Sequence, residues 1–142
     1  MKFTNTITID RLPAEVFAYL ADLENIPQWN YAISETRKTS EGPVGVGSQY
    51  AQIRTIPSQS EEALAVTEFE PDLKLAIQGD LGPFAAEIEY VLEPVGKGTT
   101  LTNTMHLQPS GAVRLIAPLA AARVKGGVAA NLEALKKLLE AG

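Results

Sequence analysis

Hydrophobic and polar positions divide the chain into short stretches of period two and one long stretch of helical period. Over residues 2–10, Phe3, Asn5, Ile7 and Ile9 alternate with Lys2, Thr4, Thr6 and Thr8, which predicts a strand with a β-branched polar outer face. Pro13 then opens a short helix, PAEVFAYLAD, with Val16, Phe17 and Leu20 on one face and Glu15 in the first turn, where the dipole favours an acid. Asp22 is positioned as N-cap of a second short helical segment, DLENIPQW, broken by Pro27 and closed by Trp29. Strand-like segments follow at 32–38, 48–56, 62–70, 73–78, 84–93 and 99–108, separated by turn-rich stretches at 41–47, 57–59, 71–72, 79–83 and 96–98. In the last stretch, 111–142, Val124, Val128, Leu132, Leu135, Leu138 and Leu139 recur at spacings that form one stripe, with Glu133, Lys136, Lys137 and Glu140 between them. This predicts a long amphipathic helix that needs an apolar partner surface, and the strands are the only candidate. Pro118 either starts or kinks it. Gly126 and Gly127, each costing about 1 kcal/mol relative to Ala in a helix, either allow close packing or leave space beneath it.

The order is therefore one strand, two short helices, six strands in hairpin succession and one long helix. Such an order predicts an α+β architecture with an antiparallel sheet packed on one face. A seven-stranded sheet twists and curls, and a single helix cannot fill its concavity, so a cavity is expected between them. No repeat, low-complexity tract or linker interrupts the chain, and 1–142 is expected to form a single domain.

Composition narrows the chemistry. A chain of 142 residues can bury one sizeable core. The absence of cysteine excludes disulfides, thiolate zinc sites and thiol catalysis and suits a reducing cytoplasm. The N-terminus lacks an apolar signal region. The most apolar window, 112–122, contains Arg114 and is too short to span a bilayer, so stable membrane insertion is not expected. A net charge of −5 argues against a nucleic-acid partner. The charge is uneven: 111–142 carries +3 and the remainder −8. A basic helix across an acidic sheet domain is compatible with an anionic ligand or lipid headgroup, but cations near a helix C-terminus also suit its dipole, which is the ordinary reading. The glycines of 41–47 precede no helix, and GKGT lacks the glycine and Lys-Ser/Thr order of a phosphate loop. His106, the sole histidine, faces outward by alternation, and no GxSxG is present. Neither a metal site nor a cofactor is expected.

The element order, the opening ITIDRLPAEVFAYLADLENIPQW, the central VTEFEPDLKL, the hairpin YVLEPVGKGTTLT and the closing NLEALKKLLE together resemble the polyketide cyclase/dehydrase and START-like lipid-transfer superfamily. The resemblance covers essentially the whole chain. It implies the helix-grip fold of the major birch-pollen allergen: a curved seven-stranded antiparallel sheet around a long C-terminal helix, with two short helices between strands 1 and 2. It also implies an apolar pocket for a hydrophobic small molecule such as a lipid, polyketide or isoprenoid. In such a fold, alternation nominates Phe69, Tyr90, Leu101, Asn103 and Met105 from the sheet, and helical spacing nominates Ile116, Ala120, Val124 and Val128, as ligand-lining residues. Thr67 is a further inward candidate.

For an aromatase/cyclase, the resemblance implies a pocket arginine and tyrosine that polarise a carbonyl and move a proton. The arginine position corresponds to Phe69 here and the tyrosine position to Thr36, with Tyr31 nearby. Substitutes are Arg54 with Tyr50, which share one strand face, Tyr90, or Arg123 from the helix. A salt-bridged surface position is the ordinary fate of such an arginine. Three functions follow as expectations: a carrier of a hydrophobic ligand, a cyclase/aromatase or dehydratase using pocket tyrosines, and a protein-interaction module of the same fold. Either a monomer or a homodimer is compatible with the sequence.

Overall fold

The computed structural model describes residues 1–109 and 115–142. The expected turn at Ser110 and Gly111, and Arg114 with its charge, lie outside the described residues. In chain order the elements are β1 (Lys2–Ile9), α1 (Pro13–Leu20), a 3₁₀ turn (Leu23–Asn25), α2 (Ile26–Trp29), β2 (Ile33–Lys38), β3 (Gln49–Arg54), β4 (Ser60–Glu70), β5 (Lys74–Leu81), β6 (Phe84–Val95), β7 (Gly98–Pro109) and α3 (Ala117–Ala141). The Asp22 carboxylate accepts from the Glu24 N–H at 3.3 Å and caps the 3₁₀ turn, as its position predicts.

All strand pairs are antiparallel, in the order β1-β7-β6-β5-β4-β3-β2. Six strands thus meet as successive hairpins, and β1 closes the far edge against β7. Paired residues share a face, so rows can be followed across the sheet: Phe3, Met105, Ile88 and Ile77 form one inward row, and Asn5, Asn103, Tyr90 and Leu75 the next. A bulge between Val66 and Glu68 in β4 breaks the strict alternation. It lets Val66 and Phe69 both point inward and turns Thr67 out to solvent, correcting its inward assignment.

Two boundaries also differ from the sequence expectation. The loop expected over 79–83 is mostly strand, because β5 runs to Leu81 and pairs with Phe84 across a two-residue turn. Its Gly79 is required by crowding, since a Cβ there would lie 2.4 Å from the Ala63 carbonyl oxygen and 2.6 Å from Leu64 Cδ2. Pro118 is the second residue of α3 and starts the helix without kinking it.

The core joins Val16, Phe17 and Leu20 of α1 to Leu75, Leu92, Leu101 and Met105 of the sheet and to Val128, Leu132 and Leu135 of α3. Polar bonds fix the C-terminal half of α3 to β1 and the segment after it. The Asp10 N–H donates to Glu140 Oε2 at 2.8 Å, and Arg11 donates to the Glu140 and Gly142 carbonyls at 3.0 and 2.7 Å. Lys136 pairs with Glu140 at 2.9 Å. Further up, the Asn5 amide donates to the Lys125 carbonyl at 3.4 Å.

Candidate functional site

Packing between the sheet and α3 changes along the helix. Under the C-terminal half it is closed: Leu132 is 2% and Leu135 0% exposed. Under the N-terminal half the half-buried positions are Ala120, Ala121, Val124 and Gly127, and the first three pack against the sheet with short side chains. Phe84, Ala86 and Leu107 form a buried apolar floor there. Phe3, Leu81 and Ile88 from the sheet and Ala120, Ala121 and Val124 from the helix surround that floor and remain half-buried. The result is a half-buried apolar seam between helix and sheet at the end of the sheet where β7 finishes. At its helical rim Leu115, Ile116 and Leu119 are 89%, 57% and 72% exposed.

The same concave face becomes polar toward β2. Tyr50, Gln52 and Arg54 alternate inward along β3, and Glu62 lies opposite on β4. Glu62 accepts from Arg54 Nε at 2.7 Å, Arg54 Nη2 at 3.2 Å, Gln52 Nε2 at 2.8 Å and the Gly82 N–H at 2.7 Å. Thr36 donates to Gln52 Oε1 at 3.4 Å. All four side chains are buried, so the expected salt-bridged arginine is present but lies inside the molecule. Its burial is made tolerable by near-complete hydrogen bonding of the carboxylate.

Four other buried polar atoms have no hydrogen-bond partner among the described residues: Trp29 Nε1, Tyr50 Oη, Asn103 Oδ1 and Asn131 Oδ1. Burial raises the pKa of Tyr50, with the Asp22 and Glu24 charges adding to it, and burial alone raises that of Tyr90. Both phenols are therefore protonated at neutral pH and act there as hydrogen-bonding hydroxyls, not as bases.

Of the residues nominated from sequence, Tyr90, Leu101, Asn103, Met105 and Val128 are buried on the concave side. Ala120 and Val124 border the seam, half-buried. Ile116 stands exposed immediately before α3. Phe69 is half-buried and meets Phe17 edge-on at 5.3 Å. Arg123 points to solvent, as does His106 on the convex face. Gly127 approaches the α2–β2 turn, where an added Cβ would lie 3.2 Å from Tyr31 Oη, while nothing lies near Gly126. Sequence reasoning overlooked Leu81, Phe84, Ala86 and Ile88. The alternation that nominated Tyr90 runs back through Ile88, Ala86 and Phe84 on the same strand and could have found them. It also overlooked Glu62, whose spacing from Leu64 and Val66 places it inward.

Two hollows lie on the surface of the described residues, neither of them beneath α3. One, of ≈300 Å³, is at the β5–β6 turn beside Phe84, Gln108 and Pro109. The other, of ≈320 Å³, is on the convex face beside Thr67, Glu87 and His106. No group of His, Cys, Asp and Glu able to hold a metal occurs among the described residues. None of their helices is long and apolar enough to cross a membrane.

A curved antiparallel sheet holding a long C-terminal helix defines a helix-grip protein. The chain belongs to the family described as polyketide cyclase / dehydrase and lipid transport, whose pattern matches residues 1–140. Solved structures agree on the fold. The protein TTHA0849 of Thermus thermophilus superimposes with a TM-score of 0.84 at 16% identity, covering 99% of this chain and 98% of that one. A START superfamily protein of Mycobacterium smegmatis gives 0.79 at 19% identity, covering 97% and 98%. The di-domain ARO/CYC StfQ of the steffimycin biosynthetic pathway gives 0.81 at 12% identity, covering 98% of this chain and 50% of that one. No curated protein matches the sequence.

Proposed function

We propose that the protein binds and carries a hydrophobic small molecule, a lipid, polyketide or isoprenoid, between its sheet and the N-terminal half of α3, and that it does so in the cytoplasm. The observation that carries this reading is the half-buried ring of Phe3, Leu81, Ile88, Ala120, Ala121 and Val124 around a buried apolar floor. The short side chains there leave the seam less covered than the packing around Leu132 and Leu135, which are fully buried. A ligand covering those side chains gains about 25 cal/mol for each Å² of apolar surface removed from water. Tyr90, Asn103, Met105 and Phe69 stand deeper along the same face and would meet the inner end of a long ligand, with Leu101 and Val128 closing the space behind them. The absence of cysteine suits a reducing compartment.

The test is to fill the seam. Ala120→Trp and Val124→Trp are each expected to retain the fold by circular dichroism. Wild-type protein is expected to carry a co-purifying small molecule in native mass spectrometry and to be stabilised by one ligand class in a thermal-shift screen, and each variant should abolish both. Folded tryptophan variants that keep the full ligand response would sink the proposal.

A cyclase or dehydratase is the second reading, favoured by the buried Tyr50 hydroxyl that has no partner among the described residues. As a protonated donor it could polarise a substrate carbonyl. Tyr50→Phe with unchanged turnover of an aromatic polyketide precursor would remove it.

A further inference from the structure

A helix laid on a sheet ordinarily turns a charged face to water. The outer face of α3 is different: Ala122, Gly126, Ala129, Ala130 and Ala134 fall together on it, all exposed. Leu119 continues the same face at its N-terminal end, with Leu115 and Ile116 exposed just before it. Three exposed charges share the stripe, Arg123, Glu133 and Lys137. None of the three has an ion-pair partner among the described residues. Gly126 costs the helix about 1 kcal/mol relative to Ala, yet a Cβ there meets nothing within 4 Å in the single chain. No packing within the molecule requires a glycine at that position.

The charges are placed to complement themselves. When two α3 helices pack face to face and antiparallel about a two-fold axis level with Val128, positions equally far before and after Val128 stand level across the interface. Arg123 precedes Val128 by as many residues as Glu133 follows it, so the Arg123–Glu133 pair forms twice. Gly126 and Ala130 are related in the same way and meet at the crossing, where short side chains let the two backbones approach closely. Leu119 comes level with Lys137, whose methylene stem covers it. A parallel pairing would instead set Arg123 against Arg123 and Glu133 against Glu133. An anionic membrane surface along this face would repel Glu133, whereas a second copy offers it a cation.

We infer that the outer face of α3 is the docking surface for a second copy of this chain, and that the two copies form an antiparallel, isologous dimer held by Arg123 and Glu133 around Gly126 and Ala130. Gly126 is then explained by the approach of the other backbone. The inner face of α3, with Ala120 and Val124, stays turned to the sheet, so the dimer does not depend on the carrier reading.

Sedimentation equilibrium of the full chain should show a concentration-dependent species of twice the chain mass. Arg123→Glu and Glu133→Arg are each expected to raise the dimer Kd at least about tenfold, and the two together to return it to within about threefold of wild type. Single reversals without effect, or a double variant that does not recover, would overturn the inference. The natural absence of cysteine allows a second measurement that leaves the charges intact. An oxidised mixture of Gly126→Cys and Ala130→Cys chains should give more cross-linked dimer than either variant alone. Equal yields, or none, would rule out the antiparallel pairing. A wild type that stays monomeric up to about 1 mM would overturn the dimer outright, and co-sedimentation of that monomer with phosphatidylglycerol vesicles would assign the face to a membrane in its place.

Discussion

Gly126 and Gly127 illustrate how far one residue can be read without its neighbours. Their cost to a helix was legible, but whether they admit a close contact depends on what stands opposite. An added Cβ at Gly126 meets nothing within 4 Å, so Gly126→Ala is expected to stabilise the protein by up to about 1 kcal/mol in urea unfolding. Gly79 is the opposite case: Gly79→Ala drives a methyl group to 2.4 Å from a backbone oxygen and should cost on the order of 1–3 kcal/mol in the same assay. Glu140 sets a pH dependence. The Asp10 N–H, and after it Lys136, hold its carboxyl below the usual carboxylate range. The native state therefore binds this proton less readily than the unfolded chain. The stabilisation is complete above the unfolded pKa and is lost as pH falls through the folded one. Melting temperatures of Glu140→Gln should lie below wild type at neutral pH and converge with it in acid. A constant gap down to low pH would contradict this.

Among the elements, α3 behaves as two halves. Its C-terminal half is tied to the N-terminal segment by Arg11, Lys136 and Glu140 and buries Leu132 and Leu135. Its N-terminal half presents alanines to the sheet and exposes Leu119 to solvent. Helical amides over 121–127 are accordingly expected to exchange hydrogen faster than those over 131–138 without ligand, and to slow when a ligand occupies the seam. Equal protection of both halves would show that α3 opens only as a whole. The strands were readable because alternation survives in nearly all of them. Alternation failed at Thr67, where an inserted residue changes the parity of β4. Gly79, Asp80 and Gly82 carry turn chemistry, yet the ladder between β4, β5 and β6 overrides it through Leu81.

For the whole molecule, the broad curved sheet is covered by one helix, least completely where that helix turns alanine-rich. The proposed ligand would bind the native state alone. A ligand at a hundred times its Kd should stabilise the protein by about 2.7 kcal/mol, a rise of several degrees in melting temperature at this chain length.

The sequence by itself determined the elements, their hairpin order, the helix-grip class and the inward face of most strands, because alternation, helical spacing and turn residues are local properties of consecutive side chains. Arg54 and Tyr50 could be placed on one face for the same reason. Only the tertiary structure decided that Arg54 is buried against Glu62, that the Tyr50 hydroxyl has no partner among the described residues, and that Ala120 and Val124 are half-buried against the sheet while Leu132 and Leu135 are fully buried. Those outcomes depend on the register between strands, a bulge in β4 and the distance from α3 to the sheet. They arise from side chains that meet only when the chain has folded.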